Sequence, residues 1–130
     1  MSKIFCVIYN PISGNGKSHY IVKYLQKDLN NNNIQYKVYK SDYSGHIKDL
    51  CLNKKFNNFI VIGGDGTFNE AINGFMNRNN IDNITVGFLP GGTGNSFMHD
   101  LNAKSYQKAI KKILHGRSKK IDVLKLNMKS

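Results

Sequence analysis

The stretch Phe59-Ile60-Val61-Ile62-Gly63-Gly64-Asp65-Gly66-Thr67-Phe68-Asn69-Glu70-Ala71-Ile72-Asn73 decides the fold. It reads as an apolar run, a glycine turn holding one acid, and the start of an amphipathic helix. Phe59 to Ile62 are strand formers in unbroken sequence, the pattern of a strand covered on both faces. Gly63, Gly64 and Gly66 permit backbone approaches that a Cβ would block. Asp65 lies inside that turn, so its carboxylate is expected at the carboxyl edge of a sheet. Thr67 and Glu70 stand three apart and fit a capping box, which starts the expected helix at Thr67 and runs it to about Asn77. Strand, glycine turn and helix start together make an anion site, because backbone N–H groups and the helix dipole both favour negative charge there. A carboxylate beside a phosphate is repulsive unless a cation or a transferred proton intervenes, and Mg²⁺ shared between Asp and phosphate oxygens is the common arrangement.

Two further glycine turns follow apolar runs. Ile4 to Tyr9 is an expected buried strand, ended by Asn10-Pro11, and Ser13, Gly14, Asn15 and Gly16 form the turn behind it. Ile84 to Leu89 is the fourth expected strand, closed by Pro90, with Gly91, Gly92, Thr93, Gly94 and Asn95 as its turn. Between these lie a helix from Lys17 to about Asn31, with Tyr20, Ile21, Tyr24, Leu25 and Leu29 expected to face the sheet, and a strand over 34–39. Ser41 to Gly45 is a turn, and a helix over 46–55 precedes the quoted stretch. Gly74 interrupts the third helix and marks close packing, approach to a ligand, or fraying. Beyond the third turn a short helix over 96–101, a longer one capped by Ser105 and a fifth strand over 121–126 are expected. Strands alternating with helices give an α/β fold with a mostly parallel sheet and helices on both faces. Its ligands sit beyond the carboxyl ends of the strands, where strand order switches. All three glycine turns gather at that edge, and their convergence says more than any one turn.

The chain's 130 residues suffice for one domain with a core. Lys and Arg number 19 against 8 acids, a formal charge of +11. Because the lysines are spread over every segment of an Asn- and Lys-rich chain, compositional bias explains the charge better than a nucleic-acid surface, and no nucleic acid is expected. Such a surface still attracts phosphate ligands and, transiently, anionic membrane. Cys6 and Cys51 show no metal spacing and no disulfide framework. With no signal peptide and no apolar run near 18 residues, the expected compartment is the cytoplasm, with visits to the inner membrane face.

The turn from Asn10 to Ser18 nearly spells a phosphate loop of the GxxxxGKS kind, but Pro11 stands where its first Gly belongs. A GxGxxG dinucleotide fingerprint is absent. Gly14 and Gly16 still suit a phosphate. Lys17 is either a charge partner or a solvated helix-start residue. Asp65 in an Asp-Gly pair is a functional acid or an ordinary turn residue, and the flanking glycines favour function. Thr67 is a cap that can also donate its hydroxyl; Glu70 is a capping partner or an active-site acid; Asn73 completes a polar cluster or is surface Asn. Thr93 and Asn95 offer donors to a nucleotide, and His46 is a helix-start residue or a substrate contact. No Ser-His-Asp set and no HExxH exists. What remains is phosphate handling, for which positioning, Mg²⁺ and a base for the attacking hydroxyl suffice.

These residues resemble the N-terminal catalytic domain of the diacylglycerol kinase-like lipid kinases, which include bacterial lipid kinases and sphingosine kinases. The likeness runs from Asn10 to about Leu126. It rests on the Asn10-Pro11-Ile12-Ser13-Gly14-Asn15-Gly16 turn, the Gly45-His46 pair, the GGDGTxxExxNG signature intact from Gly63 to Gly74, and Pro90-Gly91-Gly92-Thr93-Gly94-Asn95-Ser96-Phe97-Met98. GGDG alone also occurs in phosphofructokinases and NAD kinases; the Glu and Asn-Gly after it favour the lipid kinase branch. The resemblance implies a three-layer domain of the phosphofructokinase and NAD kinase type and ATP-dependent phosphorylation of a lipid hydroxyl. It implies nucleotide contacts from Asn10, Pro11, Ser13, Gly14, Gly16 and Lys17. Ser41, Gly63, Gly64, Gly66, Thr67, Glu70 and Asn73 join them, as do Gly92, Thr93 and Asn95. Asp65 is implied as catalytic base or holder of magnesium, with Asp122 joining the metal network through water. His46 and Ser96 are implied at the substrate, Ser96 standing where bacterial members carry an acid.

The resemblance further implies a second, β-rich domain. Residues 1–119 are then the nucleotide-binding α/β domain and 120–130 a strand leading towards a domain absent from this chain, so the piece alone is expected to be inactive. Two other readings stay open: an NAD kinase-like small-molecule kinase, and a non-catalytic remnant that binds nucleotide or protein. Oligomeric state is also open, a homodimer included.

Overall fold

The computed structural model describes residues 4–12 and 16–90. Among these residues four parallel strands form one sheet: β1 (Ile4–Tyr9), β2 (Gln35–Lys40), β3 (Asn58–Gly63) and β4 (Thr85–Pro90), in the order β2-β1-β3-β4. Helices α1 (Lys17–Asn31), α2 (His46–Asn53) and α3 (Asp65–Met76) make the crossovers, with a single 3₁₀ turn at Ile81–Asn83 before β4. The chain is built outward from β1, first to β2 on one side and then, by way of α2, to β3 and β4 on the other.

The period of two along each strand divides the core into two layers. Phe5, Val7 and Tyr9 of β1 join Ile60, Ile62 and Leu89 beneath α1, which contributes Ile21, Val22, Leu25 and Leu29. Cys6 and Ile8 join Phe59, Val61, Val86 and Phe88 on the other face, under Ile47, Leu50 and Cys51 of α2 and Phe68, Ala71, Ile72 and Phe75 of α3. The expected three-layer α/β arrangement is therefore present. β2 lies at an edge and is only half-buried, in keeping with its alternating sequence.

Three expectations need correction. Tyr20 and Tyr24 do not face the sheet; both are 60% exposed. The buried stripe is Ser18, Ile21, Val22, Leu25 and Leu29, since the narrow aliphatic side chains fit against β1 and β3 whereas the two rings lie on the opposite side of the helix. The Thr67–Glu70 capping box does not form. Gly64 is the N-cap, in extended conformation, and its carbonyl accepts the Phe68 N–H at 2.9 Å, so α3 begins at Asp65, two residues earlier than expected. Thr67 is then already inside the helix and cannot cap it. Finally, α2 stops at Asn53, where Lys54 turns to extended backbone.

The asparagines at positions 30–33 close α1 by a specific device. Asn33 takes φ 57°, Ile34 N–H reaches the Leu29 carbonyl at 2.9 Å and Asn33 N–H that of Asn30 at 3.1 Å. This is a Schellman closure with Asn in the left-handed position.

Candidate functional site at the carboxyl rim

The strand register sets the site. Tyr9 pairs with both Lys40 and Ile62, and Gly63 pairs with Pro90, so all four strands end at nearly the same level. Ser41 extends the row: its N–H donates to the Tyr9 carbonyl at 2.9 Å. The switch in strand order falls between β1 and β3, and the turns beginning at Asn10 and Gly63 start there side by side. Asn10, Ser41, Gly63 and Gly64 are thereby brought together along one rim. Ser13, Gly14, Gly92, Thr93, Asn95, Ser96 and Asp122, with the helices and strand expected after Pro90, lie outside the described residues.

The first turn is braced from within. Asn10 Oδ1 accepts the Ile12 N–H at 3.1 Å, and the buried Ser18 hydroxyl donates to the Asn10 carbonyl at 2.5 Å. Pro11 follows as a turn residue, and Gly16 caps α1 at φ 87°. Lys17 occupies the first position of α1, where a cation opposes the helix dipole. Ser18 entered the sequence reading only as the last residue of the near-GxxxxGKS turn; its place on the apolar stripe of α1 was the readable signal for the buried brace.

The GGDG turn is tighter than its glycines suggest. A Cβ at Gly63 would stand 2.6 Å from Thr67 Cβ and 2.7 Å from its Oγ1, so the first turn of α3 rests directly on the last residue of β3. This contact buries Thr67 and leaves Asp65 exposed on the rim, at the positive end of α3. Gly66 faces open space. Glu70 is half-buried, and its Oε1 is enclosed without a hydrogen-bond partner among the described residues. Its charge acts on Cys51 of α2, which places it towards the α2 side of the helix. Asn73 is exposed, with its carbonyl accepting Asn77 Nδ2 at 2.7 Å, and it does not share the enclosure of Glu70. Gly74 marks close packing: a Cβ there would overlap the Lys48 carbonyl oxygen and stand 2.9 Å from Cys51 Cβ.

His46 opens α2 from Gly45, whose φ is 88°. Its Nδ1 accepts the Asp42 N–H at 2.8 Å, and its ring stacks on Tyr43 with centroids 4.2 Å apart and planes 12° apart. Accepting at Nδ1 puts the proton of the neutral ring on Nε2, so the imidazole is set as a donor. The Tyr43 hydroxyl donates to Asp49 Oδ2 at 3.0 Å, and this bond raises the Tyr43 pKa.

Among the described residues no three His, Cys, Asp or Glu side chains gather as a metal site. A lone exposed Asp65 nonetheless suits Mg²⁺, which takes one or two carboxylates and completes its shell with water and substrate phosphate. Among those residues, too, no helix is long and apolar enough to cross a membrane.

A strand-ended glycine rim of this kind occurs in more than one kinase group, and comparison with known proteins separates them. The family model of the diacylglycerol kinase catalytic domain matches residues 4–126. The chain belongs to this family. The chain is 40% identical over 90 residues to a Staphylococcus carnosus (strain TM300) protein named "Putative lipid kinase", covering 66% of this chain and 29% of that one. Sphingosine kinase B of Dictyostelium discoideum is 28% identical over 123 residues, or 90% of this chain and 16% of the relative. The crystal structure of a diacylglycerol kinase from Bacillus anthracis strain Sterne superposes with a TM-score of 0.63 at 25% identity, over 83% of this chain and 40% of the other. The domain thus spans less than half the length of each of these relatives.

Proposed function

We propose that this domain is the nucleotide-binding part of a kinase that transfers phosphate from ATP to a lipid hydroxyl. The observation that carries the reading is that the turns beginning at Asn10 and Gly63 start side by side at the β1/β3 switch point, with Asp65 exposed at the amino end of α3. In this reading the turn from Asn10 to Gly16, with Lys17 behind it, cradles phosphate, together with Gly63, Gly64 and Ser41. The Gly92–Asn95 segment completes the nucleotide site. Asp65 accepts the proton of the lipid hydroxyl as its oxygen bonds to the γ-phosphorus and the bond to the ADP leaving oxygen breaks. Asp65, and Asp122 through water, would hold Mg²⁺, which supplies neutralisation of the phosphate charge. His46, fixed as a donor and not a base, contacts an acceptor oxygen, with Ser96 also at the substrate. A further β-rich domain, which the family resemblance implies, would close the cleft over this rim, and residues 1–130 by themselves are expected to bind ATP with little or no turnover.

The test is an acceptor screen with labelled ATP on the product of the complete reading frame, comparing wild type with Asp65→Asn. Lipid phosphorylation falling by about 10²–10⁴-fold in the variant is the expected result for loss of a general base. Full activity in Asp65→Asn would remove both roles from that residue. Turnover of NAD without turnover of any lipid alcohol would replace the acceptor class.

A further inference from the structure

The misplaced tyrosines lead to a surface. At 3.6 residues per turn, Tyr20, Lys23, Tyr24, Lys27 and Asn31 fall in a sector about 100° wide on α1, opposite the buried stripe. All five are exposed. The one acid of α1, Asp28, is half-buried at the flank of this sector, and no acid stands in the first turn. Two aromatic rings one turn apart, interleaved with two lysines, are not a scatter of single apolar residues. The outward faces of the other helices differ: α3 shows Asp65, Asn69 and Asn73, and α2 shows Lys48 beside Asp49.

A tyrosine ring is apolar with a polar tip, the amphipathic form enriched where hydrocarbon meets headgroups. Lysines beside it are attracted to anionic headgroups. We propose that the Tyr20–Lys27 face of α1 docks on an anionic lipid bilayer, with the helix lying along the headgroup layer. The charge argues against a second copy as occupant, since two lysine-bearing stripes would face each other. Because α1 starts at Gly16 on the rim and lies along the headgroups, docking sets the carboxyl edge of the sheet across the membrane plane, opening along its surface. The proposal rests on the lipid-kinase reading for its purpose but not for its test.

The test is flotation of the 130-residue chain with phosphatidylcholine vesicles, with and without phosphatidic acid, neither lipid offering a free alcohol. Binding is expected with phosphatidic acid and is expected to be much weaker without it. Lys23→Gln and Lys27→Gln each weaken it about fivefold. Tyr20→Ser with Tyr24→Ser removes the binding that survives high salt, and the matching Phe pair retains it. The control pair Lys48→Gln and Lys55→Gln removes as much charge elsewhere and changes binding less than about twofold. Circular dichroism confirms that each variant is folded. Equal losses from stripe and control pairs, undiminished binding by the stripe variants, or a concentration-dependent dimer abolished by them would each overturn the proposal. Phosphorylation of a detergent-solubilised lipid alcohol reads the kinase reaction separately, so the two ideas fail independently.

Discussion

A methyl group at Gly74 would meet the Lys48 backbone, which cannot swing aside as a side-chain tip can. Gly74→Ala gains about 1 kcal/mol of helix propensity. It then forces α2 and α3 apart, at a cost of about 1–3 kcal/mol typical of overpacking. We expect net destabilisation, read as a lower urea midpoint; a raised midpoint would show that the helices are not pressed together there. A second residue reports on pH. Burial pushes the Cys6 thiol from its ordinary 9.0 up to about 12, with Lys54 and Arg78 pulling the other way. The folded chain therefore keeps a proton that the unfolded chain releases. Stability is full below pH 9.0 and declines as pH rises towards about 12. Urea unfolding at about pH 8 and pH 10.5 should show this decline, and Cys6→Ala should make it shallower. It should not vanish, because burial also raises the Cys51 thiol.

The elements are held by contacts that periodicity does not reveal. Arg78, one of two arginines in the chain, sends Nη1 to the carbonyls of Cys51, Leu52 and Lys54 at 2.8–3.1 Å and Nε to Asn80 Oδ1 at 2.9 Å. It closes the carboxyl end of α2 from the segment after α3, with its guanidinium over the Phe59 ring at 5.4 Å. Arg78→Lys keeps the charge and loses the planar fork, so about 1–2 kcal/mol should be lost despite it. Thermal unfolding of the two forms measures this, and equal midpoints would reduce the fork to a surface ornament. An arginine in a lysine-rich chain was the available signal. The strands were legible because unbroken runs such as Phe59 to Ile62 have one reading. The α1 face was only half legible, since Tyr20 and Tyr24 are apolar enough to pass for core. Only the volume beneath the helix chose Val22 over them, while Ile21, Leu25 and Leu29 face the sheet as expected. The capping box failed for a related reason: spacing allows Thr67 to cap, but the close seat on Gly63 draws the helix start back to Asp65.

At the scale of the molecule, strand order could not be read directly, yet it decides where the turns meet. The sequence placed glycine turns after three strands; the register shows the first two starting side by side, and the third falls beyond the described residues. If that rim holds nucleotide, ATP with Mg²⁺ at about 100 times its dissociation constant should add about 2.7 kcal/mol of stability. A thermal midpoint unmoved by millimolar nucleotide would remove the nucleotide reading while leaving the fold untouched.

All three crossover helices run against the strands, so each presents its amino end at the one rim, α1 on one side of the sheet and α2 and α3 on the other. Their peptide dipoles supply a standing attraction for anions that is written in main chain. The lysines of so basic a chain can be exchanged over time for neutral residues without erasing it. What evolution cannot trade away there is the level at which the strands stop.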